Sequence, residues 1–430
     1  MIRYLRFPAD LPQSMRSNFT YFFLDVACWS LYAGSITIFL TIYAARCGAT
    51  TTQIGYLTAL PALLMILLSL PVGQLIKRIP PRSSAIWSAF AMRIFFIGYA
   101  IIPWVLPITH QFTAILILGS ISSIPATVLN VSFTQLYIEC FPPEWRGAVL
   151  GGRGAIGSVV TFVVTLLCGQ LLTRVPFPVN YQIVFFIGFV GAIATVYPIS
   201  RFRPLNMRSA GTSLIADPPG DPKGGQMGSP LGNPEAAASS RRRSYLPKLD
   251  KVGIRYLRVI GFLFIYNLVA NMVGPLIPNW LVHHLALSDA WISVGNATNT
   301  LVNFIASLFI IRIVRSIGNR KGNTLGISAL SLTTLILSVA RNPTHYMFSA
   351  VSGGLANGVL YTAQTNYLLE HVPQNDQPVW LSMNLWLNNI AIFAGALLGP
   401  LIASSLGMMP ALIFFGCLEF GIGLVMLVWG

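Results

Sequence analysis

The sequence predicts an all-α polytopic membrane protein in which twelve transmembrane helices form two pseudo-symmetric six-helix bundles. Three observations carry that expectation. Apolar residues make up 54% of the 430-residue chain and charged residues only 9%, whereas an ordinary soluble domain carries charge at about a quarter of its positions. Apolar stretches of about 20 residues, the length that crosses a bilayer as a helix, recur along the whole chain. Lysine and arginine concentrate on alternate connecting segments, the pattern that sets membrane orientation. Together these exclude a soluble enzyme and a disordered scaffold. In a soluble protein the net charge of +15 would suggest nucleic acid. Here it reads as a topology signal, and no nucleic-acid partner is expected.

Residues 1–18 form a short basic tail. The apolar run at 19–44 is longer than a signal-peptide core and has no small-residue cleavage site, so it reads as a retained first span. Further spans are expected at 53–76, 83–106, 111–136, 147–172 and 181–200, and then at 254–281, 289–314, 323–340, 345–369, 379–404 and 408–429. With the N-terminus inside, 23 of the 27 lysines and arginines fall on the cytoplasmic side, and only Arg46, Arg174 and Arg341 fall outside. Both termini are therefore expected in the cytoplasm, in a cytoplasmic (inner) or plasma membrane. The domains expected are a bundle at 19–203, a basic linker at 204–250 and a second bundle at 251–430. The linker holds ArgArgArg at 241–243 and no apolar period. It reads as a solvated tether, with docking on anionic lipid headgroups as the alternative.

The two sets of six spans look related. The segment Lys77-Arg78-Ile79-Pro80-Pro81-Arg82 after span two has its counterpart in Arg315-Ser316-Ile317-Gly318-Asn319-Arg320 after span eight. Glu139-Cys140-Phe141-Pro142 after span four matches Glu370-His371-Val372-Pro373 after span ten. Thr50 to Ile54 and Ser288 to Ile292 occupy the corresponding boundary between the first two spans of each half.

On these residues the chain resembles the major facilitator superfamily. The most specific element is the loop after span two, where Gly73, Leu75, Arg78 and Arg82 fit the family pattern while Lys77 stands where that pattern has an aspartate. The resemblance implies secondary transport of a small-molecule substrate by a monomer in contact with membrane lipids. It also implies a central site between the halves, reached alternately from each side and lined by spans one, four, seven and ten. A coupling proton or cation is a further expected partner.

Those spans do carry polar faces. Asp25, Trp29 and Tyr32 share one face of span one, with Asp25 the only acid there. An acid at membrane depth is a coupling site for a proton or cation, or else a structural acid bonded to backbone or arginine. Span four carries Thr127, Asn130 and Thr134; span seven Tyr266, Asn267 and Asn271; span ten Asn357, Tyr361 and Gln364. These amides and phenols suit a cavity lining, or interhelical hydrogen bonds. Arg93 in span three lies deep enough to reach Asp25. Glu139, Arg146, Arg153 and Glu370 at the cytoplasmic ends are candidates for gating ion pairs. No arginine pair falls on the four cavity spans, so the lining suits a neutral or cationic amphiphile, or a sugar. The direction of movement stays open between efflux of such an amphiphile and uptake of a sugar-like solute.

The five cysteines are scattered without a CxxC, no nucleotide-binding loop is visible, and no catalytic triad or metal cluster stands out. No cofactor and no enzymatic activity are expected. The alternatives are a non-transporting, transporter-like receptor or sensor, and a membrane-embedded lipid enzyme.

Overall fold

The computed structural model describes residues 13–76, 79–204, 251–373 and 377–429. The linker expected at 204–250 lies outside them apart from Pro204, as do Lys77 and Arg78 of the loop motif. In a lipid core every backbone N–H and C=O must be satisfied within the protein, which leaves helices as the solution for apolar segments of this length. Span one runs as Gln13–Gly34 and continues as Ile36–Arg46, span two is Thr51–Ile76, and span three is Pro81–Ile94 followed by Phe96–Val105. Spans four and five are Ile108–Cys140 and Pro143–Arg174, and span six is Val179–Ala194 with Val196–Arg201. In the second half, span seven is Lys251–Val273 prolonged by Leu276–Asn279 and a π turn at Trp280–His284. Spans eight to twelve are Asp289–Ile317, Asn319–Ser338, Pro343–His371, Gln377–Leu406 and Met408–Trp429.

Local chemistry explains where the rods start and bend. Pro81, Pro143 and Pro343 each occupy the first turn of their helix, where the missing N–H would have had no partner in any case. Asn342 caps span ten by accepting from the backbone N–H of His345 at 2.9 Å. Span seven breaks at Gly274-Pro275, where proline removes a helix donor. The turns after spans eight and eleven pass through Gly318 and Gly407 at φ 86° and 90°, a region that residues with a Cβ rarely enter.

Among the described residues nine helices are long and apolar enough to cross a membrane on composition alone. Spans eight, nine and ten are not among them, and each carries amides and hydroxyls. Those groups face protein rather than lipid: Asn299 donates to Ala350 O at 3.2 Å, and Thr333 to the Ser352 hydroxyl at 3.1 Å. Gly354 and Gly358 let span ten lie directly against span eight.

The duplication is visible in the packing. In the first half span one packs on five and six, span three on four and six, and span two on four. In the second half each pairing recurs six spans later: seven on eleven and twelve, nine on ten and twelve, eight on ten. The halves meet through span two against eleven and span five against eight, again a symmetric pair. Both seams depend on glycine, with Gly55 against Ala396 O and Gly169 against the side chain of Ser293. With no hydrophobic drive between helices in lipid, such close backbone approach is a main source of association.

The two ends of the molecule differ. At the end predicted to face outward, one apolar cluster joins Ile42, Ala45 and Ile54 of the first half to Leu276, Trp280 and Leu281 of the second. Bonds across the halves gather there: Arg46 pairs with Asp289 at 3.0 Å and donates to Leu287 O at 2.6 Å. Asn279 donates to Ala49 O at 3.1 Å, and His283 Nε2 to Ala45 O at 3.0 Å. At the other end each half keeps its own cluster, around Phe22 and Phe141 in the first and around Tyr256 and Trp380 in the second. The halves are thus closed together at the Arg46 end.

An alanine at 169 would drive its Cβ into Ser293, whereas one at 151 would meet nothing within 4 Å. Gly169→Ala is expected to cost about 1–3 kcal/mol as overpacking, and Gly151→Ala to gain up to about 1 kcal/mol of helix propensity. Denaturant titration of the two variants should give shifts of opposite sign.

Candidate functional site

Asp25 sits about three turns into span one and is only 2% exposed. Its carboxylate accepts from Arg153 Nη1 at 2.8 Å. Arg153 lies in the GlyGlyArgGly run at 151–154, one of the few stretches of span five where side chains nearly vanish. A Cβ on Gly152 would stand 2.8 Å from the Phe23 ring, and one on Gly157 3.2 Å from Val26. These glycines let span five close on span one, and the arginine between them reaches the acid. The guanidinium is further held over the Phe22 ring at 4.6 Å and the Phe133 ring at 5.3 Å, a contact that is strongest when desolvated.

The pair borders a cavity of about 340 Å³, at the lower end of the usual range for small-molecule sites. Its polar wall is Asp25, Arg93, Asn130 and Arg153; Trp29, Met65, Met92, Ala126, Leu129 and Phe133 make the apolar wall. All ten belong to spans one to five. Arg93 is 3% exposed, and its guanidinium lies 5.6 Å from the Trp29 ring centroid. Its Nε and Nη1 have no hydrogen-bond partner. An aromatic ladder continues from this wall, with Trp29 on Tyr32 at 4.5 Å and Tyr32 stacked on Phe96 at 4.5 Å.

The cavity therefore brings together Asp25, Trp29, Arg93, Asn130 and Arg153 of the residues singled out from sequence. Others lie elsewhere. Thr134 is exposed and donates to Asn130 O at 2.8 Å, and Thr127 donates to Ser123 O at 2.9 Å. In span seven Tyr266 is buried within the core of the second half. Asn267 and Asn271 donate back to Leu263 O and Asn267 O, at 2.8 and 2.7 Å. Asn357 and Gln364 are half-buried, and Tyr361 is 80% exposed. None of these second-half residues borders the cavity.

Two expectations need correction. Arg93 does not pair with Asp25; Arg153 holds that acid, because the glycines of span five bring it nearer than span three can come. The four residues considered as gating ion pairs do not pair with one another. Arg146 donates to Phe141 O and Ile138 O, both at 3.0 Å, and so ties the turn between spans four and five. Glu370 accepts from Asn319 at 2.9 Å, and Glu139 stands half-buried at the end of span four. Of the loop motif, Gly73 lies in span two and Arg82 donates to Ser200 O, joining spans three and six. Among the described residues the ion pair between halves is instead Arg46–Asp289. Its sequence signal was slight: an arginine and an acid, each placed at an outer span end. The two cavity arginines come from spans three and five, outside the four spans expected to line the site, and the sequence named them for coupling and for gating instead.

Comparison with known proteins places this geometry. A sequence profile described as Major Facilitator Superfamily matches residues 19–244 and 259–430. No curated protein sequence matches the chain. Among solved structures, a POT family transporter in complex with 5-aminolevulinic acid superposes with a TM-score of 0.68 at 13% identity, covering 97% of this chain and 96% of that one. The nucleoside transporter NupG superposes with a TM-score of 0.62 at 10% identity, covering 97% of this chain and 99% of that one. At such identities the likeness shows the fold alone.

The buried pair predicts an order of stabilities. Arg153 keeps 23% side-chain exposure against 3% for Asp25, so removing the arginine strands the more deeply buried charge. Arg153→Gln is expected to cost about 3–5 kcal/mol, and Asp25→Asn clearly less. The double variant should cost less than the sum of the two, and a double-mutant cycle by denaturant titration in detergent measures the difference.

Proposed function

The chain belongs to the major facilitator superfamily, and from that premise we propose that it is a secondary transporter of a small organic solute. It works by alternating access, with Asp25 as the group that couples transport to a proton or cation. The observation that carries this reading is the Asp25–Arg153 pair at 2.8 Å on the wall of a partly open cavity, in a molecule whose halves are bonded together at the far end. A carboxylate buried against an arginine has two states of different charge. While it is ionised it holds Arg153 on the seam between spans one and five. A bound proton cancels the attraction and leaves Arg153 to its aromatic neighbours and to the cavity. A change of that kind, at the packed face of two spans, is the differential contact that lets an ion bias one arrangement of the halves over the other.

The Arg46–Asp289 pair and its companion bonds support the same reading from the other end. They are the contacts that must separate for the cavity to face the opposite side. Arg46 is 28% exposed and Asp289 13%, so water can take over their hydrogen bonds when they part. A reversible closure needs this property, and a fully dry pair lacks it.

Proteoliposome flux tests the coupling. Asp25→Asn is expected to lose gradient-driven accumulation by at least about tenfold while keeping downhill exchange; undiminished accumulation would remove Asp25 from the mechanism. A cysteine placed at Ala49, in a background with the native cysteines replaced, reads the closure. Adding Asp289→Asn is expected to raise its labelling by an impermeant maleimide several-fold.

A further inference from the structure

We infer that the solute carried through the cavity is a small organic monoanion, an oxyanion group on an apolar body, with Arg93 as the residue that recognises its charge. This inference rests on the transport reading of the same cavity and narrows the substrate class. The charges on the wall do not cancel: Arg93 and Arg153 face one acid, Asp25. Arg153 takes that acid at 2.8 Å. Arg93 is 97% buried beside the face of Trp29, with Asp25 and Tyr32 near enough to act on its charge, yet two of its guanidinium nitrogens find no acceptor in the protein. A guanidinium in membrane surroundings is costly unless it is matched, and an aromatic face meets only part of that need. An oxyanion offers what is missing: one negative charge and two acceptors in the plane of the guanidinium fork.

The remaining walls describe the rest of the ligand. Met65, Met92, Leu129 and Phe133 give an apolar surface, with the methionines able to adapt to irregular shapes. Asn130 supplies a single amide. A neutral sugar could accept hydrogen bonds from the arginine but would leave its charge unmatched, and an organic cation would be repelled by it. The neutral or cationic solute suggested by spans one, four, seven and ten therefore gives way once spans three and five are added. While Asp25 is ionised the wall carries a single excess positive charge, which a monocarboxylate matches better than a dianion.

Uptake into proteoliposomes of the full-length protein is to be measured with matched carboxylates, amides and amines on phenyl, indolyl and cyclohexyl bodies. On at least one body the carboxylate is expected to move at least about tenfold faster than its amide, and the amine slowest. Arg93→Gln should abolish the preference for the carboxylate, and Arg93→Lys should retain part of it. If Arg93→Gln fails to insert, Asn130→Asp serves instead, since it adds a negative charge on an exposed side chain of the same wall. It should slow the carboxylate about tenfold without slowing the amide. Preferential movement of an amide or amine would overturn the inference while leaving transport standing. So would a carboxylate preference untouched by Arg93→Gln or by Asn130→Asp. Movement of none of the compounds would tell against the transport reading together with this one.

Discussion

Close approach of spans one and five governs the charged core of the first bundle. Gly152 and Gly157 remove the side chains that would hold the helices apart, and Arg153 between them then lies within hydrogen-bond distance of Asp25. Neither charge would be tolerable alone at that depth. Each is kept by the other, and Arg153 also by the aromatic rings of Phe22 and Phe133. The cavity takes its polarity from this arrangement, because the same pair forms its polar wall together with Arg93 and Asn130. A bulkier residue at 152 would push the spans apart and separate the charges.

The second organising constraint is symmetry. The main helix pairings within the first half have their counterparts six spans on, and the two seams between halves exchange places under the same operation. Such an arrangement has two related ways of closing, one at each end. The structure holds one of them, with Arg46 and Asp289 drawn together and a shared apolar cluster beneath. The charged cavity breaks the symmetry, since its walls come from the first half alone. The corresponding face of the second half turns its amides inward: Asn267 and Asn271 bond to their own helix.

Much of this architecture was legible in the residues. Twelve apolar stretches and an alternating basic pattern are additive local signals that no tertiary contact is needed to decode, and the fold follows them. Asp25 was legible as an acid alone in an apolar run. Its partner was not: Arg153 follows glycines near a span end and reads there as one more cytoplasmic charge. Only the packing of span five on span one turns it inward. Arg93 was visible as a deep cation, but its neighbour proved to be the ring of Trp29. Polar residues in spans seven and ten satisfied the same pattern as those in spans one and four, yet a helical periodicity cannot tell an amide that faces a cavity from one that bonds to the carbonyl a turn below.

The cluster that seals the Arg46 end has a thermodynamic corollary. Parting the halves there would bring Ile42, Ala45, Leu276 and Leu281, all nearly inaccessible in this arrangement, into contact with water. Hydration of apolar surface raises heat capacity. If the halves rock as proposed, that equilibrium should be curved in temperature, and the enthalpy of leaving this arrangement should change steadily on warming. Cooling weakens apolar contacts, so the seal itself should loosen in the cold.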